Sequence, residues 1–189
     1  MSLPRAILWR NDTTHYGPVS RLLHWTMAAL ILGQIPLGLY LLRMTPGLAN
    51  LWLFGLHKSL GVTVLGLAVV RLIWHRISPP PAPLGDPDLW SNRLARAVHA
   101  AIYILLLVIP LSGWIGASGS GIQTVIWNRW TLPAIAPATE AWQDGGFIVH
   151  AVATRLLMTL LVLHIAGAFR RAMLGDGTLA RMTTGHAPD

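Results

Sequence analysis

Cysteine is absent from this sequence of 189 residues, and charged residues make up only 11% of it. Without cysteine, the chain has no disulfides, no thiolate-bound iron–sulfur clusters and no cofactor attached through a C-x-x-C-H motif. A soluble domain usually carries about 25% charged residues. The low charge, together with 53% hydrophobic residues, therefore excludes an ordinary soluble domain and points to the membrane.

Four apolar stretches follow one another along the chain. Each has about 20 residues, enough for a helix that crosses a hydrocarbon core of about 30 Å. The lipid-facing side of such a helix is apolar as well, which accounts for the composition. The sequence predicts an all-α fold, an integral membrane four-helix bundle forming one domain over residues 1–189. The predicted spans are 21–42, 51–74, 95–117 and 146–169.

The predicted connections differ in length. Residues 45–50 form a short turn, and residues 77–92 are too rich in proline to be helical in their first half. Residues 118–145 form the longest connection, and their three tryptophans favour a position along the membrane surface. Residues 1–23 lack the apolar core and cleavage site of a signal peptide, so we expect the first span to remain in the mature protein.

The formal net charge is +7, and no nucleic-acid-binding motif accompanies it. The charge is distributed as in membrane proteins, whose cytoplasmic loops are rich in lysine and arginine. With the N-terminus inside, the outer side holds only Arg43, Lys58 and Arg129, and Arg155 lies within the fourth span. The inner side holds Arg5, Arg10, Arg21, Arg71, Arg76, Arg93, Arg96, Arg170, Arg171 and Arg181. This bias predicts that both termini face the cytoplasm.

Five of the eight histidines fall within the predicted spans or at their rims. They are His24, His57, His99, His150 and His164. The other three fall in predicted loops or tails, namely His15, His75 and His186. Ionisable side chains are costly inside a membrane and usually mark a functional site. A single intramembrane histidine is more often a hydrogen-bonded packing residue, so ligation is indicated only by the spacing.

His150 and His164 are fourteen residues apart. This spacing places them about 40° apart on one face of the fourth helix and about 21 Å apart along its axis. The distance is too long for one metal ion and fits two stacked haems, each taking one imidazole ligand from this helix. By depth, His57 pairs with His150 near the outer end, and His24 pairs with His164 near the inner end. His99 lies at the same inner depth, so depth alone leaves it open as the partner of His164.

Three further residues follow a histidine by the same fourteen positions. Arg71 falls at the inner level, where its guanidinium fits a haem propionate, although an interface anchor is the alternative. Gly38 and Gly113 fall at the outer level, where they leave room for a flat macrocycle or, equally, permit close helix packing. Arg155 lies away from the histidine face of its helix, and no role is assigned to it.

These residues resemble the bacterial cytochrome b561 family over nearly the whole chain. The shared pieces occur in order: R-L-L-H-W at 21–25, L-H-K-S-L-G at 56–61, V-V-R-L at 69–72, His99 with the I-Y that follows, His150, L-H at 163–164 and D-G-T-L-A-R-M at 176–182. Where such proteins often carry further histidines after the last ligand, this chain has Arg170 and Arg171.

The resemblance implies a bacterial inner-membrane protein with two non-covalent haems b and ubiquinone as a redox partner. The implied ligands match His24, His57, His150 and His164. One type in this family looks like a superoxide oxidase, which passes an electron from periplasmic superoxide to ubiquinone.

The sequence therefore favours a di-haem cytochrome b, an electron carrier or oxidoreductase that transfers single electrons across the membrane. Quinone and a small periplasmic donor such as superoxide are its expected partners. His99 and Arg96 are quinone-site candidates at the inner side. Lys58 and Arg129 are candidates for steering an anionic donor at the outer side.

Three alternatives remain open. A cytochrome b subunit of a larger dehydrogenase or hydrogenase would exchange electrons with a partner redox subunit. A metal-ion transporter could use the same histidines, but the two on the fourth helix are about 21 Å apart. A non-redox scaffold leaves the pairing of the histidines unexplained.

Overall fold

Four long helices account for most of the computed structural model, which describes residues 9–86 and 88–184. They are α1 (Pro18–Arg43), α2 (Trp52–Ile77), α3 (Trp90–Gly119) and α4 (Glu140–Met173). All four are long and apolar enough to cross a membrane, which confirms the predicted bundle. Two short elements complete the described chain. A hairpin of β1 (Thr124–Ile126) and β2 (Trp130–Leu132) follows α3, and α5 (Thr178–Thr183) follows α4.

The last two long helices extend well beyond the predicted spans. α3 begins at Trp90 instead of 95, and α4 begins at Glu140 instead of 146. The added turns are more polar than the spans. That of α4 is stabilised by capping: the Thr139 side chain accepts a hydrogen bond from the backbone N–H of Trp142 at 3.5 Å, and Glu140 lies in the first turn. α3 begins without a side-chain cap. A prediction from apolar residues alone therefore covers only the central part of such a helix.

The structure corrects the predicted position of His75. α2 continues to Ile77, so His75 lies in its last turn and not in a loop. There its ring contacts that of Tyr103 in an edge-on arrangement, with 5.6 Å between the ring centroids. The other two histidines that were placed outside the spans differ in outcome. His15 lies in the loop before α1, and His186 lies outside the described residues.

The long connection between α3 and α4 contains the one departure from an all-helical fold that the described residues show. β1 and β2 pair antiparallel, with Ile126 opposite Trp130. Trp127 and Asn128 form the turn with φ angles of 51° and 52°, a region that asparagine tolerates and tryptophan rarely adopts. The backbone N–H of Trp127 donates to Ser59 Oγ at 2.8 Å. This bond fixes the hairpin to the N-terminal part of α2.

The segments at the other end of the bundle are joined by hydrogen bonds between backbone groups and side chains. The backbone N–H of Asn11 donates to Ser78 Oγ at 2.8 Å, which joins the segment before α1 to the end of α2. The Trp25 Nε1–H donates to the Met182 carbonyl at 2.9 Å, which holds α5 against α1. Both ends of the described chain therefore lie at the same end of the bundle, opposite the hairpin.

The helices pack in chain order, α1 on α2, α2 on α3 and most extensively α3 on α4. The buried centre is a small cluster to which all four long helices contribute, and its members are Met27, Ile31, Val64, Ala68, Leu106 and Leu157. Outside this cluster, the most apolar stretch of each long helix is largely exposed, with only 11–17% of it buried within the protein. Such exposed apolar sides are suited to contact with lipid.

Candidate functional site

The inner pair of histidines faces across the gap between α1 and α4. The rings of His24 and His164 have their centroids 6.2 Å apart and their planes at 62°. A metal–imidazole bond is about 2 Å long and the ring centre lies roughly 1 Å beyond the nitrogen, so two imidazoles on one metal atom have centres about 6 Å apart. The measured separation fits one iron atom between these two rings.

The outer pair repeats this geometry at the other end of the bundle. The rings of His57 on α2 and His150 on α4 have centroids 6.1 Å apart and planes at 75°. α4 contributes one ring to each pair, as the fourteen-residue spacing predicts. In the described chain α4 packs its backbone extensively on α3 and not on α1 or α2. The histidine pairs therefore join the helices that stand apart, where a cofactor has room.

His150 is held in the tautomer that a metal ligand needs. Its Nδ1 lies 2.8 Å from the backbone carbonyl oxygen of Ile109. A carbonyl only accepts, so Nδ1 carries the proton and Nε2 keeps its lone pair. Metal-bound histidines usually donate their second ring N–H in this way, which fixes the orientation of the ring.

Glycines lie against both outer rings, as their fourteen-residue register indicates. A Cβ atom at Gly113 would lie 2.9 Å from His150 Nδ1, too close for the ring to keep its bond to Ile109. A Cβ atom at Gly38 would lie 3.2 Å from the Cε1 atom of His57. These glycines therefore make room for the histidine rings themselves.

His57 is anchored through its backbone. The Gln34 Nε2–H donates to the His57 carbonyl oxygen at 2.9 Å. Within the described residues, the buried Nδ1 of the His57 ring has no hydrogen-bond partner. Buried polar atoms are nearly always paired, so the outer pair includes one group that is left for a partner from outside the chain.

His99 contacts His164 directly, an interaction that sequence analysis missed. The His99 Nε2 lies 3.1 Å from His164 Nδ1, and the ring centroids are 5.0 Å apart. Two nitrogens on one metal atom would be about 4 Å apart. The geometry therefore favours His24 as the partner of His164, with His99 as the residue that orients His164. Finding this bond requires knowing how α3 packs on α4.

Arg71 lies at the inner pair, where its register predicts. Its Nη2 is 3.2 Å from His24 Nδ1, and its guanidinium carbon is 5.5 Å from the centre of the Tyr103 ring. A guanidinium only donates, and an anionic oxygen is a stronger acceptor for it than a neutral imidazole nitrogen. The position is compatible with the propionate partner that the sequence suggests.

The remaining candidates are at least partly exposed. Lys58 is half-buried beside His57, and the exposed Arg129 stacks on Trp130 with 5.5 Å from its guanidinium carbon to the ring centre. No contact between Lys58 and Arg129 is found in the described residues. Arg96 is exposed at the inner end, and Arg155 is exposed on α4, where the structure gives it no role.

Four membrane-length helices with two facing histidine pairs define the class of helical membrane proteins that hold haem between imidazoles. The prokaryotic cytochrome b561 family model matches residues 15–185. The chain is 30% identical over 176 residues to "Cytochrome b561 homolog 2" of Escherichia coli (strain K12), covering 91% of this chain and 93% of that protein. It is 23% identical over 161 residues to "Probable superoxide oxidase CybB" of Yersinia pestis, covering 85% and 90%.

The chain belongs to the prokaryotic cytochrome b561 family. The resemblance carried by the sequence motifs is thereby confirmed. Membership makes the protein a multi-pass bacterial membrane cytochrome that binds haem b and serves transmembrane electron transfer.

Proposed function

We propose that this protein is a di-haem cytochrome b that moves single electrons between a small periplasmic donor and quinone. The observation that carries this proposal is the repeated ring separation, 6.2 Å for His24 and His164 and 6.1 Å for His57 and His150. Two bis-histidine sites at opposite ends of one bundle form a route across a medium that excludes ions. Each bound haem would supply a one-electron Fe(II)/Fe(III) couple.

The chain's own residues would determine where and how these cofactors sit. His150 is oriented by the Ile109 carbonyl, and His164 is oriented by His99. Such outer partners fix the ligand ring and raise its basicity. Arg71 is placed to bind a propionate of the inner haem. The apolar layer between the two sites excludes water, so electrons and not hydrated ions would cross the bundle.

The residues of the central apolar layer follow the histidines at a constant separation in the sequence. Ile31, Val64, Leu106 and Leu157 each lie seven residues after one of the histidines, halfway to the fourteen-residue positions. Seven residues bring a helix back to within about 20° of the same face. The same side of each helix therefore presents a polar group at one end, an apolar residue at the centre and a polar group or glycine at the other end.

The donor that we propose is superoxide, and the acceptor is ubiquinone. One relative of this chain is named "Probable superoxide oxidase CybB". In the balanced reaction, two superoxide ions each lose one electron to give two molecules of O₂, and ubiquinone takes up both electrons and two protons to give ubiquinol. His99 and Arg96 are proposed to line the quinone site. Both are exposed at the inner end, and His99 also contacts the ligand His164.

The quinone step is tested with the purified protein in liposomes. A limited amount of dithionite should reduce both haems and be consumed. Ubiquinone added afterwards should reoxidise the haems within seconds. His99→Ala should slow this reoxidation at least tenfold while both haems remain bound. Haems that stay reduced in the presence of quinone would exclude quinone as acceptor, and co-purification of a soluble redox subunit would favour the subunit of a larger complex instead.

We also propose that both termini face the cytoplasm and that residues 118–145 face the periplasm. Arginines are concentrated at the end of the bundle that holds both described termini, whereas the hairpin end has few. An alkaline phosphatase fusion after Asp189 should be inactive, and a green fluorescent protein fusion at the same site should fluoresce. The reverse pattern would overturn the orientation and exchange the inner and outer sites.

A further inference from the structure

Arg181 on α5 carries a buried charge that no carboxylate of the described residues pairs with. Its exposed fraction is 5%, and its Nη1–H donates to the Ala82 carbonyl oxygen at 3.1 Å. Its buried Nε has no hydrogen-bond partner within the described residues. The ion pairs found in this part of the chain do not include Arg181: they are His15–Asp12, Arg93–Asp88 and Arg171–Asp176. Burying a charge without an opposite charge is unfavourable, so this position is suited to an anion.

Arg71 is a second cation of the same kind beside the inner histidine pair. Its Nε is also buried without a partner in the described chain, and its Nη2 is 3.2 Å from His24 Nδ1. No carboxylate is paired with it among residues 9–86 and 88–184. The two guanidiniums, which we call the inner arginine pair, therefore bring two positive charges to the inner end of the bundle, and no acidic side chain of the described residues pairs with either.

Tyr16 links the two members of the inner arginine pair. The guanidinium carbon of Arg181 lies 5.8 Å from the centre of the Tyr16 ring. Burial raises the pKa of the Tyr16 hydroxyl, and the charges of Arg181 and Arg71 both oppose that rise. Both guanidiniums therefore act electrostatically on the same phenol, and Arg71 contacts the proposed iron ligand His24.

We propose that Arg181 binds one propionate of the inner haem and that Arg71 binds the other. This inference rests on the proposed function, which places a haem between His24 and His164. A haem has two propionates, and the inner arginine pair would supply one guanidinium to each. A guanidinium binds a carboxylate through two parallel hydrogen bonds, the strongest polar contact that an arginine makes.

The covering of Arg181 indicates that its anion is supplied from within the bundle. α5 is held on α1 by the bond from Arg21 Nη1–H to the Thr183 carbonyl and by the bond from Trp25 to Met182, each 2.9 Å. With only 5% exposure, Arg181 is closed to a phosphate or lipid headgroup arriving from the surface. α5 would accordingly connect α1 to the inner haem through Arg181.

The test measures the redox equilibrium of each haem in the purified holoprotein by spectroelectrochemical titration. His150→Ala, which is expected to lose the outer haem, identifies the titration step of the inner one. Because a nearby positive charge favours Fe(II), Arg181→Gln should shift the inner-haem equilibrium about tenfold towards Fe(III), which is about 59 mV for one electron. Arg181→Lys should shift it less, because the charge is kept. The redox equilibrium of the outer haem should change less than twofold.

The matched control is Arg170→Gln, which removes an exposed charge from the last turn of α4 at the same end of the bundle. It should shift the redox equilibrium of neither haem by more than twofold. Resonance Raman spectra provide a second readout, since loss of the guanidinium should shift the propionate bending band in Arg181→Gln and not in Arg170→Gln. This band also detects a propionate contact when the equilibrium shift is partly compensated.

Three results would overturn the inference. Arg181→Gln could behave like Arg170→Gln, or it could shift both haems equally, which would indicate a structural role. Inorganic phosphate could shift the inner-haem equilibrium of the unmodified protein but not of Arg181→Gln, which would identify a free anion as the ligand. By contrast, an unmodified protein that binds fewer than two haems b per chain would refute the proposed function itself.

Discussion

Replacing His150 with alanine is expected to leave one haem b per chain instead of two. The ring of His150 faces that of His57 at 6.1 Å, and both are proposed to bind the outer iron. His57→Ala should have the same effect, and the double variant should also retain one haem because both residues serve a single site. The pyridine haemochrome assay, normalised to protein concentration, measures the stoichiometry.

The inner site provides the complementary experiment. His24→Ala and His164→Ala should each remove the inner haem and keep the outer one. His75→Ala is the matched control, because His75 also lies in a spanning helix but contacts only Tyr103 among the ring contacts found. It should retain two haems. A stoichiometry of one in the unmodified protein, or loss of a haem from His75→Ala, would contradict the two-site arrangement.

His99→Ala separates the two possible partners of His164. The bond of 3.1 Å between His99 and His164 is too short to contain an iron atom, so this variant should keep both haems. Loss of the inner haem from His99→Ala, together with its retention in His24→Ala, would reassign the inner ligand to α3.

A smaller change tests the outer site without removing a ligand. Gly113→Ala would place a methyl group 2.9 Å from His150 Nδ1 and break the bond to Ile109, so outer-haem occupancy should fall by at least half. Gly66→Ala is the control, because nothing lies within 4 Å of its added Cβ atom. That variant should retain both haems and should be at least as stable as the unmodified protein, since alanine favours a helix by about 1 kcal/mol over glycine.

The approximate positions of the spans could be predicted from hydropathy, and the shared face of the fourth-helix histidines from helical periodicity. Fourteen residues return a helix to nearly the same face, so His150 and His164 must point the same way whatever the packing. Partner helices at matching depth then follow from hydropathy. The prediction needed no knowledge of side-chain contacts, and the ring separations of both pairs agree with it.

The features that could not be predicted depend on contacts between distant segments. The Trp127–Ser59 bond joins residues 68 positions apart, and no local pattern indicates it. The bond between His99 and His164 depends on the rotation of α3 against α4. Arg181 carries no periodic signal because α5 has only six residues. Its burial becomes evident only once the loop that contains Ala82 is placed against it.

Neutralising Lys58 and Arg129 together is expected to slow reduction of the outer haem by superoxide roughly three- to tenfold at low salt. Lys58 lies beside His57, and Arg129 lies on the hairpin that is fixed to the same end of α2 through Ser59. Positive charge at the mouth of a site raises the encounter rate with a small anion by about tenfold or more. Stopped-flow spectroscopy after a superoxide pulse, with and without ubiquinone, measures this rate in Lys58→Gln/Arg129→Gln.

Salt provides the internal check, because exposed charges are screened over about 10 Å at 0.1 M ionic strength. The rate of the unmodified protein should fall as salt rises, and the double variant should be nearly insensitive to it. Arg76→Gln/Arg170→Gln removes the same charge from the other end of the bundle and should react with superoxide at the unmodified rate. Dithionite should reduce all three proteins fully, which shows that their haems are intact. Absence of reduction by superoxide at every salt concentration would eliminate superoxide as donor, and a partner redox subunit would then be the leading candidate while the two haem sites stand.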